Sequence, residues 1–434
     1  MTDRLNELSA SEAARRIARR ELTSEALVRA CLERVEAREE TVRAWAFIDP
    51  GLALAEARAR DREAPRGPLH GVPIGVKDVL DTADMPTQMG SPIYAGWRPR
   101  ADAACVAIAR AAGAVVLGKT VTAELAGMAP GATRNPRDPT RTPGGSSSGS
   151  AAAVADFMVP LALGTQTGGS VLRPASFCGV VGFKPSFGRY NRSGLKMAAE
   201  SLDTIGTIAR TLDDIELFDA ALTRAPVRPA RARASHGFSS APRIGVCRTP
   251  MWQTALPETM DAVEDAAARL SRSGASVRDV PLPEPFAGLA GERDVLGSVE
   301  RSRAIAHEWR HHRDALSERM RRAVELGLGT SEDDYRALLA LAADCRAKLA
   351  ALFRDFDMML TPCVPGEAPA GLESTGDPRF QRLWTALHVP AIALPTHQGP
   401  AGLPVAIQLV GRAGGDLGLL GSARWVWDKL GGSE

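Results

Sequence analysis

The feature that most constrains this chain is an alternation of helical patterns with short, almost wholly apolar segments. Residues 101–113, ADAACVAIARAAG, place apolar residues at helical spacing and end on Gly113, the residue type favoured just past a helix C-terminus. AVVLGKT (114–120) follows at once and reads as a buried strand. Further strands are expected within 66–81, 157–165, 180–186, 243–248, 358–362, 391–396 and 405–412. Helix then apolar strand, repeated, predicts an α/β fold layered around a sheet.

The organisation around that alternation is coarse but readable. Residues 1–62 read as helices, with Ser9 or Ser11 capping the first and Thr23 or Ser24 the second. Residues 250–356 carry long helical patterns, notably the Arg/Glu-rich run 292–327 and the segment 331–356. The one break in composition is 224–242, RAPVRPARARASHGFSSAP, which reads as a surface loop joining the two halves. Its arginines have no interleaved aromatics, which argues against nucleic-acid binding.

Bulk numbers exclude several function classes. Lys plus Arg (53) nearly balances Asp plus Glu (51), so no global field favours nucleic acid or an anionic membrane. No run of about 18 apolar residues occurs, so no membrane span is expected. The N-terminus lacks the apolar centre of a signal peptide, and the default location is cytoplasmic. The six cysteines form no CxxC pair, which points to reduced thiols and away from a metal or disulfide framework.

Three motifs could carry chemistry. His307-Glu308-Trp309-Arg310-His311 matches HExxH, which on a helix can present two imidazoles to zinc, but it lies in a dense charged stretch with no evident third ligand. A solvated helix face explains it equally well, and no metal is expected. Gly145-Ser146-Ser147-Ser148-Gly149 matches GxSxG, yet the prolines and turn formers before it leave no strand for a nucleophile elbow, and neither His388 nor His397 sits in a recognisable triad context. The third uses more of the chain. Gly164-Thr165-Gln166-Thr167-Gly168-Gly169-Ser170 follows an apolar strand, and its glycines let successive backbone N–H groups approach a ligand, as an oxyanion hole requires. Lys77 sits in GVPIGVKDVLD, where burial would lower its pKa and make it a competent base. Ser–Lys versions of nucleophilic catalysis exist on this basis.

GVPIGVKD (71–78), NPRDPTRTPGGSSSGSAAAVA (135–155), GTQTGGSVLRPASFCGVVGFKPSFGR (164–189) and GLPVAIQLVGR (402–412) together resemble the amidase signature family, in the right order and over most of the chain. The resemblance implies a single α/β/α layered domain with a large mixed central β-sheet flanked by helices, a signature core at about 66–212, and a helical insertion at about 250–356. It also implies an amidase with a Ser–cis-Ser–Lys triad: Lys77 as base, Ser146 as the bridging serine on a cis peptide bond, and Ser170 as nucleophile. Thr167, Gly168, Gly169 and Ser170 would supply the oxyanion hole, with Gly145, Ser147, Thr165 and Gln166 in support. No cofactor is implied. The partner is a small-molecule amide, and family members are often homodimers.

The motif departs from the family pattern at three places. Serine occupies position 148 where glycine is usual, and Gln166 stands where many members carry aspartate. Many members have arginine two residues after the nucleophile; here that residue is Leu172, and Arg173 comes one later. If the segment is extended, the one-residue shift sends the side chain to the opposite face. Arg173 resembles the arginine by which malonamidase-like members hold a substrate carboxylate, so a small carboxylate-bearing amide is expected. The alternative is a structural arginine paired with a core acid. Allophanate or carboxybiuret hydrolases, aryl-acylamidases and an inactive scaffold are the rival assignments. The A component of the tRNA-dependent amidotransferase is another, and the chain looks short beside it.

Overall fold

The computed structural model describes residues 4–127, 129–227 and 241–431. Eleven strands form one mixed sheet in the order β1-β3-β2-β4-β6-β5-β10-β11-β9-β7-β8. They are β1 (Trp45–Ile48), β2 (Pro73–Lys77), β3 (Val115–Thr120), β4 (Leu161–Gln166), β5 (Val181–Lys184) and β6 (Thr204–Ala209), then β7 (Arg243–Val246), β8 (Ser276–Asp279), β9 (Met358–Pro362), β10 (Ala391–Gln398) and β11 (Pro404–Val410). β3, β2 and β4 run parallel to one another, as do β9, β7 and β8, while the strands between the two groups are antiparallel.

The apolar runs exist because both faces of the sheet are covered. In β3, Val115 and Leu117 join one core cluster while Val116 joins the other. Ala162 and its neighbours Leu161 and Leu163 divide between the two faces of β4 in the same way. Side chains alternate across a strand, so a strand buried on both sides shows no polar alternation.

The helices begin where capping chemistry allows. Ser9 caps Ala10–Ala18 by accepting from the Glu12 N–H, Thr23 caps Ser24–Val42, and Asp49 caps Pro50–Arg62. Strands β1, β6 and β8 do not stand out in the sequence. β1 and β8 are short edge strands of four residues, and β6, TIGTIA, is interrupted by Gly206, which approaches the Phe183 carbonyl. β8 lies within the segment expected to be helical, between Pro257–Arg272 and Pro285–Ala304, so that segment also contributes a sheet edge. Residues 228–240 of the expected surface loop lie outside the described residues. Among the described residues, no helix is long and apolar enough to cross a membrane, and the six cysteines are free and buried.

Candidate active site

The carboxyl ends of β2 and β4, adjacent and parallel, hold the centre of the site. Open α/β sheets bind ligands at such ends. Lys77 is the last residue of β2, and its Nζ donates to Ser146 Oγ (2.7 Å), Thr165 Oγ1 (2.7 Å) and the Thr165 carbonyl (3.3 Å). Lys77 is fully buried with no carboxylate in ion-pair contact among the described residues. Burial lowers its pKa to about 7, with the Arg173 charge adding to the fall and Asp203 opposing it.

Ser146 reaches Lys77 because the segment before it is stitched down on every side. The Gly145–Ser146 peptide is cis. Ser147 N–H donates to the Ser170 carbonyl (3.2 Å), its hydroxyl bridges the Thr165 backbone N–H and C=O (3.3 Å each), and Ala123 N–H donates to the Ser146 carbonyl. The helix Ser148–Ala155 then runs inward with all eight residues buried. Gly149 makes this possible: a Cβ there would lie 2.2 Å from the Ala44 carbonyl oxygen and 2.4 Å from Val121 N. This Gly/Ser segment is a fixed core loop. Ser147, the elbow candidate, has its hydroxyl engaged on β4.

β4 passes into the loop Thr167–Val171 and the helix Leu172–Cys178. Gln166 holds that turn, its Oε1 accepting from Val171 N (2.9 Å) and Leu172 N (3.1 Å). Its Nε2 donates to Thr385 Oγ1 (3.1 Å), which donates to the Gly168 carbonyl (2.7 Å). An aspartate could not supply that donor. The Thr167 carbonyl accepts from Arg293 and the Gly169 carbonyl from Arg173 N–H. Among the described residues none accepts from the N–H groups of Thr167, Gly168, Gly169 or Ser170. The loop's carbonyls are thus tied back while its amides stay uncommitted beside Ser170, which lines a cavity of about 310 Å³.

Arg173 is in a helix and not in an extended segment, so the one-residue shift from the usual arginine position rotates it about 100° about the helix axis. It pairs with no core acid. Its Nη2 donates to the Gly145 carbonyl (2.6 Å) and Thr375 Oγ1 (3.1 Å), while Nε and Nη1 have no partner although the residue is only 1% exposed. Burial, then the charge of Arg382, lowers its pKa to about 9, opposed by Asp377. Arg173 also lines the cavity.

Sequence reasoning did not find the cavity's other wall. Arg293 and Arg301 come from Pro285–Ala304 and Arg382 from Arg379–Ala386, far along the chain and with no motif around them. Asp203, which accepts from Thr167 Oγ1 and from the Ala198 and Ala199 N–H groups, was equally unmarked.

The other motifs are accounted for elsewhere. His307 and His311 are exposed, whereas Glu308 is buried and takes the Tyr94 hydroxyl (2.5 Å) and the Lys196 ammonium. Among the described residues no group of three His, Cys, Asp or Glu could hold a metal. His388 stacks on Phe187 and bonds the Ser201 carbonyl; His397 pairs with Asp265.

A family model described as Amidase matches residues 26–420. The GatA-type component of glutamyl-tRNA(Gln) amidotransferase from Chloroflexus aggregans is 34% identical, the match covering 94% of this chain and 93% of the relative. Its counterpart from Acidothermus cellulolyticus is 35% identical over 93% of this chain and 90% of its own. Such coverage removes chain length as a distinction from those relatives. Among solved structures, an amidase matches with 32% identity and a TM-score of 0.88, covering 97% of this chain and all of its own. A chain from a vestigial protein complex bearing on the origins of an s-triazine catabolic enzyme matches at 28% identity and a TM-score of 0.89, over 98% of this chain and 99% of its own. Peptide amidase from Stenotrophomonas maltophilia matches at 30% identity and a TM-score of 0.81, over 99% of this chain and 98% of its own. With the family model spanning nearly its whole length, this chain belongs to the amidase family.

Proposed function

We propose that this protein hydrolyses the C–N bond of a small linear amide bearing a carboxylate, with Ser170 as nucleophile, Ser146 as proton relay and Lys77 as base. The observation that carries this is the environment of Lys77: a buried amine without a carboxylate partner, 2.7 Å from the Ser146 hydroxyl. A neutral Lys77 can direct its two N–H bonds at the Thr165 oxygens and its lone pair at Ser146. Ser170 Oγ attacks the amide carbon as its proton passes to Ser146 and that of Ser146 passes to Lys77. The carbonyl oxygen becomes an oxyanion facing the free amides of Thr167, Gly168, Gly169 and Ser170. Collapse breaks the C–N bond, the amine leaves with the proton returned through Ser146, and water repeats the sequence on the ester. The Arg173 Nε and Nη1 groups are offered to a substrate carboxylate.

The curated relatives support a second reading, a component that passes ammonia to another protein. The s-triazine relative keeps carboxybiuret-type substrates in the comparison. Measuring ammonia or amine release from malonamate, biuret-type, aryl and aliphatic amides tests the first reading, with Ser170→Ala as control. Activity that survives in Ser170→Ala overturns it. A purified protein, expected as a homodimer, that is silent until a second chain is added supports the second reading.

A further inference from the structure

The cavity in front of Ser170 holds far more positive charge than one carboxylate requires. Five guanidinium groups line it, those of Arg173, Arg293, Arg301, Arg322 and Arg382, against the single carboxylate of Asp294. Asp294 is half exposed and is shared, 3.3 Å from Arg293 and 2.8 Å from Arg382. Arg322 is exposed and turned to Glu318. The inner cations are the unusual ones. Arg293 is 6% exposed, donates to the Thr167 carbonyl through Nη2 and leaves Nε without a partner. Arg301 donates to the Leu125 carbonyl at 3.4 Å and lies beside Met320 Sδ, with no carboxylate in ion-pair contact among the described residues. Removing guanidinium groups from water without a counter-charge is costly, so the missing anion is expected from the ligand.

Arg173 and Arg293 approach the Ser170 loop through different carbonyls, those of Gly145 and Thr167. Unpartnered N–H groups therefore face the cavity from two separate places. We propose that the substrate is dianionic: one carboxylate meets Arg173, and a second anionic group, on the other side of the scissile amide, meets Arg293 and Arg301. The class is an amide whose acyl and amine halves each end in a carboxylate. The inference rests on Ser170 being the attacking residue, and it adds a second anion subsite to the one at Arg173.

The test separates binding from turnover. N-malonylglycine carries both carboxylates, N-acetylglycine lacks the one on the acyl half, and N-malonylmethylamine lacks the one on the amine half. Calorimetric titration of the Ser170→Ala protein with the three is expected to give a Kd for N-malonylglycine about 10-fold or more below that of either monoanion, since charge-assisted Arg–carboxylate bonds are strong. Arg293→Gln on that background is expected to remove most of this advantage. Because Arg293 also touches the Thr167 carbonyl, Arg301→Gln is the second variant, and it is expected to weaken N-malonylglycine more than the monoanion that lacks the group it contacts. Equal affinity for all three ligands, or an advantage untouched by both substitutions, overturns the second subsite. Failure of the nucleophile reading would show separately, as hydrolysis persisting in Ser170→Ala.

Discussion

Lys77 Nζ and Ser146 Oγ lie 2.7 Å apart in a site from which both side chains are closed to solvent. Sixty-nine residues separate them in sequence. Because burial holds the lysine near pKa 7, the fraction of free amine changes steeply around neutral pH. A base must be unprotonated, so kcat/KM is expected to rise with pH through a midpoint of about 7 and to fall on the acid side. Lys77→Met should lower kcat at least about 10²-fold, the usual scale for a positioned base. A profile flat from about pH 5 to 9 would contradict this role.

Arg173 touches the Gly145 carbonyl as well as the cavity, so its removal should act twice. Arg173→Ala is expected to lower kcat for every amide through the displaced Ser146 segment. It should also raise KM, about 10-fold more for carboxylate-bearing amides than for neutral ones. Steady-state kinetics on a matched acidic and neutral pair measures the split. Equal losses for both would leave Arg173 as a positioning residue only.

Gln166 closes the turn between β4 and the helix Leu172–Cys178 by accepting two backbone N–H bonds. Gln166→Ala leaves both buried donors unsatisfied, at a cost of about 1–3 kcal/mol each. Thermal unfolding should register that loss, and activity should fall as the amides of Thr167–Ser170 lose their support. A variant with unchanged Tm and kcat would refute the role.

Two neighbouring positions in the Gly/Ser segment should respond very differently. Gly149→Ala drives a Cβ into the Ala44 carbonyl and Val121 N, so it should destabilise by about 3 kcal/mol or more, or prevent soluble expression. Ser148→Ala removes only a 3.3 Å bond to the Val121 carbonyl and should cost about 1 kcal/mol or less. Denaturant midpoints of the two variants decide the matter.

His307 and His311 are exposed on a charged helix while Glu308 is occupied by Tyr94 and Lys196. Dialysis against a chelator, and the double substitution His307→Ala with His311→Ala, should leave amide hydrolysis within about twofold, the scale of ordinary surface changes. A larger loss restored by zinc would reinstate the metal site.

The sequence by itself determined the parts whose physics is local. Continuous apolar runs such as AVVLGKT announce strands covered on both faces, and Ser9 and Thr23 announce helix starts because their oxygens meet an orphan N–H three residues on. The Gly-rich segments around Ser146 and Ser170 likewise mark backbone that must approach something closely. Tertiary structure decided the rest. Strands β1 and β8 exist through pairing with β3 and β7, which supplies what four residues lack alone. Arg293, Arg301 and Arg382 face the Ser170 loop only because the helices carrying them pack over the carboxyl ends of the sheet. In sequence they are three among many arginines, since the charge of a residue is local but the cavity it faces is set by packing. The same holds for Lys77: its identity is written in the chain, but its lowered pKa comes from the burial that the fold imposes.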